Sequence, residues 1–192
     1  MAGFLWFRRG RGPADLAVDM VGVRLGERLL QAGVSDPRVF AVLAGKAGLT
    51  GRACAVVDTR EAAATIEEAA AREGVLVEVA VAESGAWPYE AASFDVAIVD
   101  GDALLGAGPE ARLRRLQDVV RVVRPGGRVL AVRHWKVGLA GRLGFVRERT
   151  APSPEAAALI KALEDAGYRP VRLLAEREGL TFAEGFRPPT SA

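Results

Sequence analysis

Cysteine is almost absent, with Cys54 the only one in 192 residues. An intrachain disulfide framework is thereby excluded, as is a cysteine zinc site, and a reducing, cytoplasmic compartment is the expected setting. Long hydrophobic runs are missing as well: the longest candidate, Val39 to Leu49, is broken by Lys46 and falls short of the roughly 18 apolar residues that suggest a membrane span. Charge of one sign is lacking too, because 26 Lys and Arg stand against 24 Asp and Glu and leave +2. The pI near 9 reflects scattered arginines rather than a basic face, so no nucleic-acid partner is expected. What is present is 50% apolar and 26% charged. That balance describes one globular domain and excludes disorder, collagen and coiled coil.

The first residues carry one local exception. Phe4, Leu5, Trp6 and Phe7 precede Arg8, Arg9 and Arg11, a pattern suited either to weak contact with a membrane surface or to docking on the chain's own domain. A secretory signal is not expected there, since no charged stretch precedes the apolar one and no small-residue cleavage site follows. Beyond it, short apolar runs alternate with helical patterns, uninterrupted by repeats or low-complexity linkers, which is the order of βαβ units. Arg28 to Gly33, Ala53 to Asp58, Val96 to Asp100 and Val129 to Val132 are apolar almost without alternation, as parallel strands covered on both faces are.

The helices between them have readable ends. Asp36 is placed to cap a helix over Pro37 to Ala47, with Pro37 at the first position, where its missing N–H costs nothing. Asp58-Thr59-Arg60-Glu61 reads as an acidic variant of the capping box, opening a helix that Gly74 ends. Pro109 opens another, with Leu113, Leu116, Val120 and Val123 expected inward and Pro125-Gly126-Gly127 as its stop. Ser153-Pro154 opens the last helix, with Ala156, Leu159, Ile160 and Leu163 inward and Gly167 closing it. Two strands end the order, at about Val171 to Ala175 and Leu180 to Phe186.

Three strings make that order specific: Ala92-Ser93-Phe94-Asp95-Val96 before the fourth strand, Val122-Val123-Arg124-Pro125-Gly126-Gly127-Arg128 before the fifth, and Ala166-Gly167-Tyr168 before the sixth. Together with the paired final strands they resemble the class I S-adenosylmethionine-dependent methyltransferases along roughly Val21 to Arg187. The resemblance implies an α/β, three-layer Rossmann-like methyltransferase fold, a seven-stranded, mostly parallel sheet whose last strand is antiparallel. It divides the chain into an extension over 1–20, the domain over 21–187 and a tail over 188–192. None of the quoted residues performs chemistry; Phe94 suits a core plug, Asp95 a strand-entry cap and Pro-Gly-Gly a reversal.

The same resemblance implies S-adenosylmethionine as cofactor and places its contacts at Gln31, Gly33, Asp58, Thr59, Glu83, Ser84 and Asp100. The family's loop after the first strand has an acid followed by three spaced glycines, which let the backbone approach the ligand. Here the loop reads Gln31-Ala32-Gly33-Val34-Ser35-Asp36-Pro37. Only the first glycine is kept, Gln31 replaces the acid and supplies an uncharged acceptor, and Val34, Ser35 and Pro37 narrow the turn. Asp58 matches the acid that takes the ribose hydroxyls, unless it serves as the helix cap alone. Glu83 and Ser84 stand where the adenine is faced, with a solvated loop as the alternative, and Trp87 either packs near the adenine or covers the sheet.

Asp100-Gly101-Asp102 invites comparison with the metal-dependent O-methyltransferases, but Arg133-His134-Trp135 stands where their second acidic pair would be. An arginine there repels a cation, so no metal site is expected. His134, the one histidine of the chain, falls at the carboxyl end of the fifth strand, where it suits a catalytic base or a histidine bonded only to backbone. The segment Lys136 to Arg149, with four basic residues, is expected to cover the substrate. Two functions stay open: methyl transfer to a small-molecule acceptor, or a catalytically inactive methyltransferase-like binding or assembly protein. Alanine- and valine-rich helix faces suit a homodimer in either case. A nicotinamide enzyme is disfavoured because Gly33 again stands alone in that fingerprint.

Overall fold

The computed structural model describes residues 13–82, 87–134 and 151–189. The elements run α1 (Pro13–Val21), β1 (Arg28–Ala32), α2 (Pro37–Ala47), β2 (Arg52–Val57), α3 (Arg60–Glu73), β3 (Glu78–Val81), β4 (Phe94–Asp100), α4 (Gly101–Gly106), α5 (Pro109–Val122), β5 (Val123–His134), α6 (Pro154–Asp165), β6 (Val171–Arg177) and β7 (Leu180–Phe186). One seven-stranded sheet has the order β3-β2-β1-β4-β5-β7-β6. Its first five strands pair in parallel, and β7 lies antiparallel between β5 and β6. The expected fold is therefore the one formed, with Leu180–Phe186 seated directly on β5.

Both faces of the sheet are buried, which explains the lack of alternation. Leu29, Val96, Ile98 and Leu130 join one core with residues of α1, α2 and α3, while Leu30, Ala97, Val99 and Val129 join the other with residues of α5 and α6. Leu16, Ala17, Val18 and Val21 of α1 belong to the first core. Among the described residues no helix is long and apolar enough to cross a membrane. The Phe4 to Arg11 segment lies outside the described residues.

The helix starts follow local chemistry. The Asp36 carboxylate accepts from the N–H of Arg38 and Val39, and the Ser153 hydroxyl from that of Ala156, each with proline behind it at the first helical position. At α3 the cap is Thr59, not Asp58: Thr59 has the extended backbone a cap needs, and its hydroxyl accepts from Ala62 N–H at 3.2 Å. Asp58 stands one residue outside, so its carboxylate is released from capping.

Two further expectations are corrected. In α5 the buried row is Leu116, Val119 and Val122, whereas Leu113 is 46% exposed and Val123 already belongs to β5. Arginines on the flanks fix that rotation: Arg112 donates to the carbonyls of Leu104, Leu105 and Ala107, and Arg121 to those of Trp87 and Tyr89. Pro125-Gly126-Gly127 does not stop the helix, which ends at Val122; it forms a bulge inside β5, where the register jumps from Phe94↔Val123 to Val96↔Arg128. A Cβ on Gly127 would stand 2.7 Å from Val123 and 2.9 Å from the Asp95 carbonyl, so only glycine fits the bulge.

Beneath the bulge, Asp95 ties three strands together at their amino-terminal edge. Its Oδ2 accepts from Arg28 N–H at 2.8 Å and Arg28 Nε at 3.1 Å, and its Oδ1 from Arg124 Nε at 2.6 Å. Burial pushes the carboxyl pKa up, but the hydrogen bonds from Arg28 and Arg124 outweigh it and hold the group at about 2. A carboxyl depressed in the folded state stabilises the fold above its unfolded pKa and loses that contribution as pH falls through the folded one. Asp95→Asn should therefore cost about 2 kcal/mol of unfolding free energy at neutral pH. Denaturant curves of variant and wild type should converge between pH about 4 and 2; a difference unchanged across that window would assign the loss to packing.

Candidate active site

The sheet winds outward in both directions from β1, whose neighbours are β2 and β4. Connections therefore diverge above its carboxyl end and leave a crevice, the usual ligand position in open α/β sheets. Gln31 of β1, Ser35 and Asp36 before α2, Val39 and Leu43 of α2, Ala17 and Val21 of α1, Ile98, Val99 and Asp100 of β4, and Val132 and His134 of β5 line it. The cleft is open to solvent, and its free space of about 40 Å³ is room for a few water molecules or one end of a ligand.

Its walls are apolar apart from a few polar groups, and Gln31 is the most telling. The residue is 8% exposed, and its Oε1 finds no hydrogen-bond partner among the described residues. A buried acceptor without a donor costs stability, so a native one calls for a ligand or water to complete it. Gly33 turns the chain away from β1 at φ +70°, with its N–H donating to the Val56 carbonyl at 2.9 Å. A Cβ there would stand 3.2 Å from Asp100 Cβ, so both the dihedral and the close approach of β4 favour glycine.

Asp100 lines the cleft and also caps α4, its Oδ1 accepting from the N–H of Asp102 and Ala103 at 2.9 Å each. His134 reaches the cleft from the last position of β5, and its N–H donates to Asp102 Oδ2 at 2.8 Å. Asp58 projects from the end of β2 with its side chain 63% exposed, and Arg115 Nη2 bridges both of its oxygens at 3.2 and 3.3 Å. Thr59 is occupied as the cap of α3. Glu83, Ser84 and the Lys136 to Arg149 segment lie outside the described residues. Trp87 is buried in the second core and covers the sheet.

Several contributors had no sequence signal as site residues. Arg115 is 57 residues from Asp58 and sits mid-helix without a motif. Ala17 falls in the expected extension and Val21 at the first position of the expected domain, where only their four-residue spacing could mark a packed helical face. Asp36 is legible as a cap and not as a cleft wall. Asp102 drew attention as a metal ligand; Arg133 Nε sits 3.0 Å from its Oδ1 instead.

A family model for a methyltransferase domain matches residues 30–131. The chain belongs to that family, the class I S-adenosylmethionine-dependent methyltransferases. No curated protein matches the sequence. Among solved structures the chain is similar to a SAM-dependent methyltransferase from Aquifex aeolicus, with a TM-score of 0.68 and 19% identity over 91% of this chain and 89% of that one. It is similar to a SAM-dependent O-methyltransferase from Thermotoga maritima, with a TM-score of 0.64 and 14% identity over 93% and 66%. It also matches the [4+2]-cyclase SpnF, with a TM-score of 0.65 and 15% identity over 92% and 80%. At these identities the structures establish the fold alone.

The residues present fit one end of the cofactor: a buried acceptor lacks a donor among the described residues, a glycine turn brings backbone to the crevice and the Asp100 carboxylate stands beside it. Because Gln31 Oε1 is buried without a donor among the described residues, Gln31→Met should raise the unfolding free energy of the ligand-free protein by about 1 kcal/mol. A fall in stability, read by denaturant titration without ligand, would mean that the amide is already satisfied.

Proposed function

We propose that the protein transfers a methyl group from S-adenosylmethionine to the oxygen or nitrogen of a small-molecule acceptor. The observation that supports this most is the cleft itself, where the unpartnered Gln31 Oε1 and the imidazole of His134 share one small, mostly apolar space. When bound, the cofactor would supply a methyl group on a sulfonium, whose carbon a lone pair of the acceptor oxygen or nitrogen attacks as the methyl–sulfur bond breaks and the thioether leaves. Gln31 accepts from the ammonium of its methionine end, and Gly33 permits close approach. Asp58 would take the ribose hydroxyls, Glu83 and Ser84 would serve the adenine, and Thr59 and Asp100 would complete the contacts. His134 accepts the proton that the acceptor atom loses. In-line positioning within walls that exclude water supplies much of the remaining acceleration.

Asp58 meets the ribose only after it leaves Arg115. The pair is exposed, so its own worth is about 0 to 1 kcal/mol, less than the roughly 1.5 to 3 kcal/mol of a hydrogen bond to a charged group. Exchange therefore favours the ligand. Calorimetric titration with S-adenosylhomocysteine should give a micromolar Kd, and the absence of heat at millimolar ligand would return the chain to the binding-module reading. Asp58→Asn should weaken that binding by roughly tenfold or more. Arg115→Gln should leave the melting temperature nearly unchanged and strengthen binding severalfold; weaker binding in Arg115→Gln would make the arginine itself a ligand contact.

A further inference from the structure

We propose that Arg128 is a positioning residue for the cleft: from the interior of β5 it seats α1, whose Ala17 and Val21 form one wall. The assignment rests on the cleft being the cofactor site. Arg128 itself is not among the residues that line it.

The nine residues of α1 fall below the roughly 12 to 15 at which a helix begins to hold by itself in water. Docking therefore supplies its order. Leu16, Ala17, Val18 and Val21 bury in the first core, but apolar burial is non-directional and leaves a helix free to slide along its axis. A directed bond fixes where Ala17 and Val21 stand. Gly22 ends the helix at φ +56° with its N–H donating to the Val18 carbonyl at 3.1 Å, and its own carbonyl accepts from Arg128 Nη2 at 2.9 Å, 106 residues away in the chain. α1 has no basic residue in its last turn. The guanidinium from β5 supplies the positive charge that the carbonyl end of a helix favours.

Two carboxylates aim that guanidinium. Glu184 of β7 is 3% exposed and its Oε1 stands 3.7 Å from Arg128 Nη1's side of the fork, while Glu27 Oε2 stands 3.5 Å from Nη2. These are charge contacts, longer than ordinary hydrogen bonds. Each acid takes its close hydrogen bond elsewhere, Glu184 from Arg172 Nε at 2.9 Å and Glu27 from the Arg24 N–H at 2.8 Å. Arg128 is thus held between them with Nη2 left to donate to the end of α1. One strand therefore seats α1 with Arg128 and lines the cleft with Val132 and His134.

The test is calorimetric titration of the full-length protein with S-adenosylhomocysteine, beside amide hydrogen exchange. Arg128→Gln should weaken binding by about fivefold, and exchange should quicken across Ala17 to Val21 of α1 while Ala97 to Val99 of β4 stay protected. Arg128→Lys should recover part of the affinity, since it keeps a cation at the Gly22 carbonyl. Gly22→Ala strains the same contact from the helix side, so it should weaken binding too, and the double variant should bind no worse than the weaker-binding single variant. Exchange that quickens equally in β4 would mark general destabilisation and overturn the proposal. Should Arg128→Gln fail to fold, Gly22→Ala carries the same criteria. A wild type that binds no S-adenosylhomocysteine would overturn the reading of the cleft and the proposal with it, whereas equal binding by wild type and folded variant overturns the proposal alone.

Discussion

The site depends on one topological constraint: β1 is held between two parallel strands whose connections leave in opposite directions. Each strand buried on both faces must end somewhere, and β1 ends where the order of the sheet reverses direction. Gln31 can therefore be enclosed by neighbouring side chains while its amide oxygen finds no donor among the described residues. The glycine turn follows from the same crowding, since β4 approaches so closely that Asp100 Cβ would touch any side chain on Gly33. Cleft, orphaned acceptor and tight turn are three results of one strand order.

The two edges of the sheet handle charge in opposite ways. At the amino-terminal edge Asp95 is well enclosed and held by two guanidinium groups and a backbone N–H, which keeps its pKa at about 2 and its role structural. At the carboxyl edge Asp58 and Asp102 each meet one arginine and stay substantially exposed. Weakly compensated carboxylates can exchange partners or tune a neighbour at little cost, and strongly compensated ones cannot. The edge that fixes register is thus chemically quiet, and the edge that binds is not.

Much of the fold was legible because its signals are local. Pro37, Pro109 and Pro154 mark helix starts by lacking an N–H that no helix start needs, and the run Leu180–Phe186 appeared with the bounds the structure gives it. Errors arose where two local patterns competed. Asp58 and Thr59 are both good caps, and only the extended backbone at Thr59 decides between them. Leu113 shares a helical face with Leu116 and Val120, yet it alone of the three is exposed, because arginines anchored to other elements hold the helix with Val119 and Val122 inward.

By itself the sequence determined the alternation of strands and helices, the family, the altered glycine loop and the place of its single histidine at a strand end. These rest on periodicity, caps and motifs, which operate over a few neighbouring residues. Only the tertiary structure decided that Arg115 holds Asp58, that α1 walls the cleft, that Asp102 meets both Arg133 and the His134 N–H, and that Gln31 Oε1 has no donor among the described residues. Each is a meeting of side chains from separate elements. Spacing along the chain carries no record of such meetings, because the sheet order and the packing of helices across it set those distances.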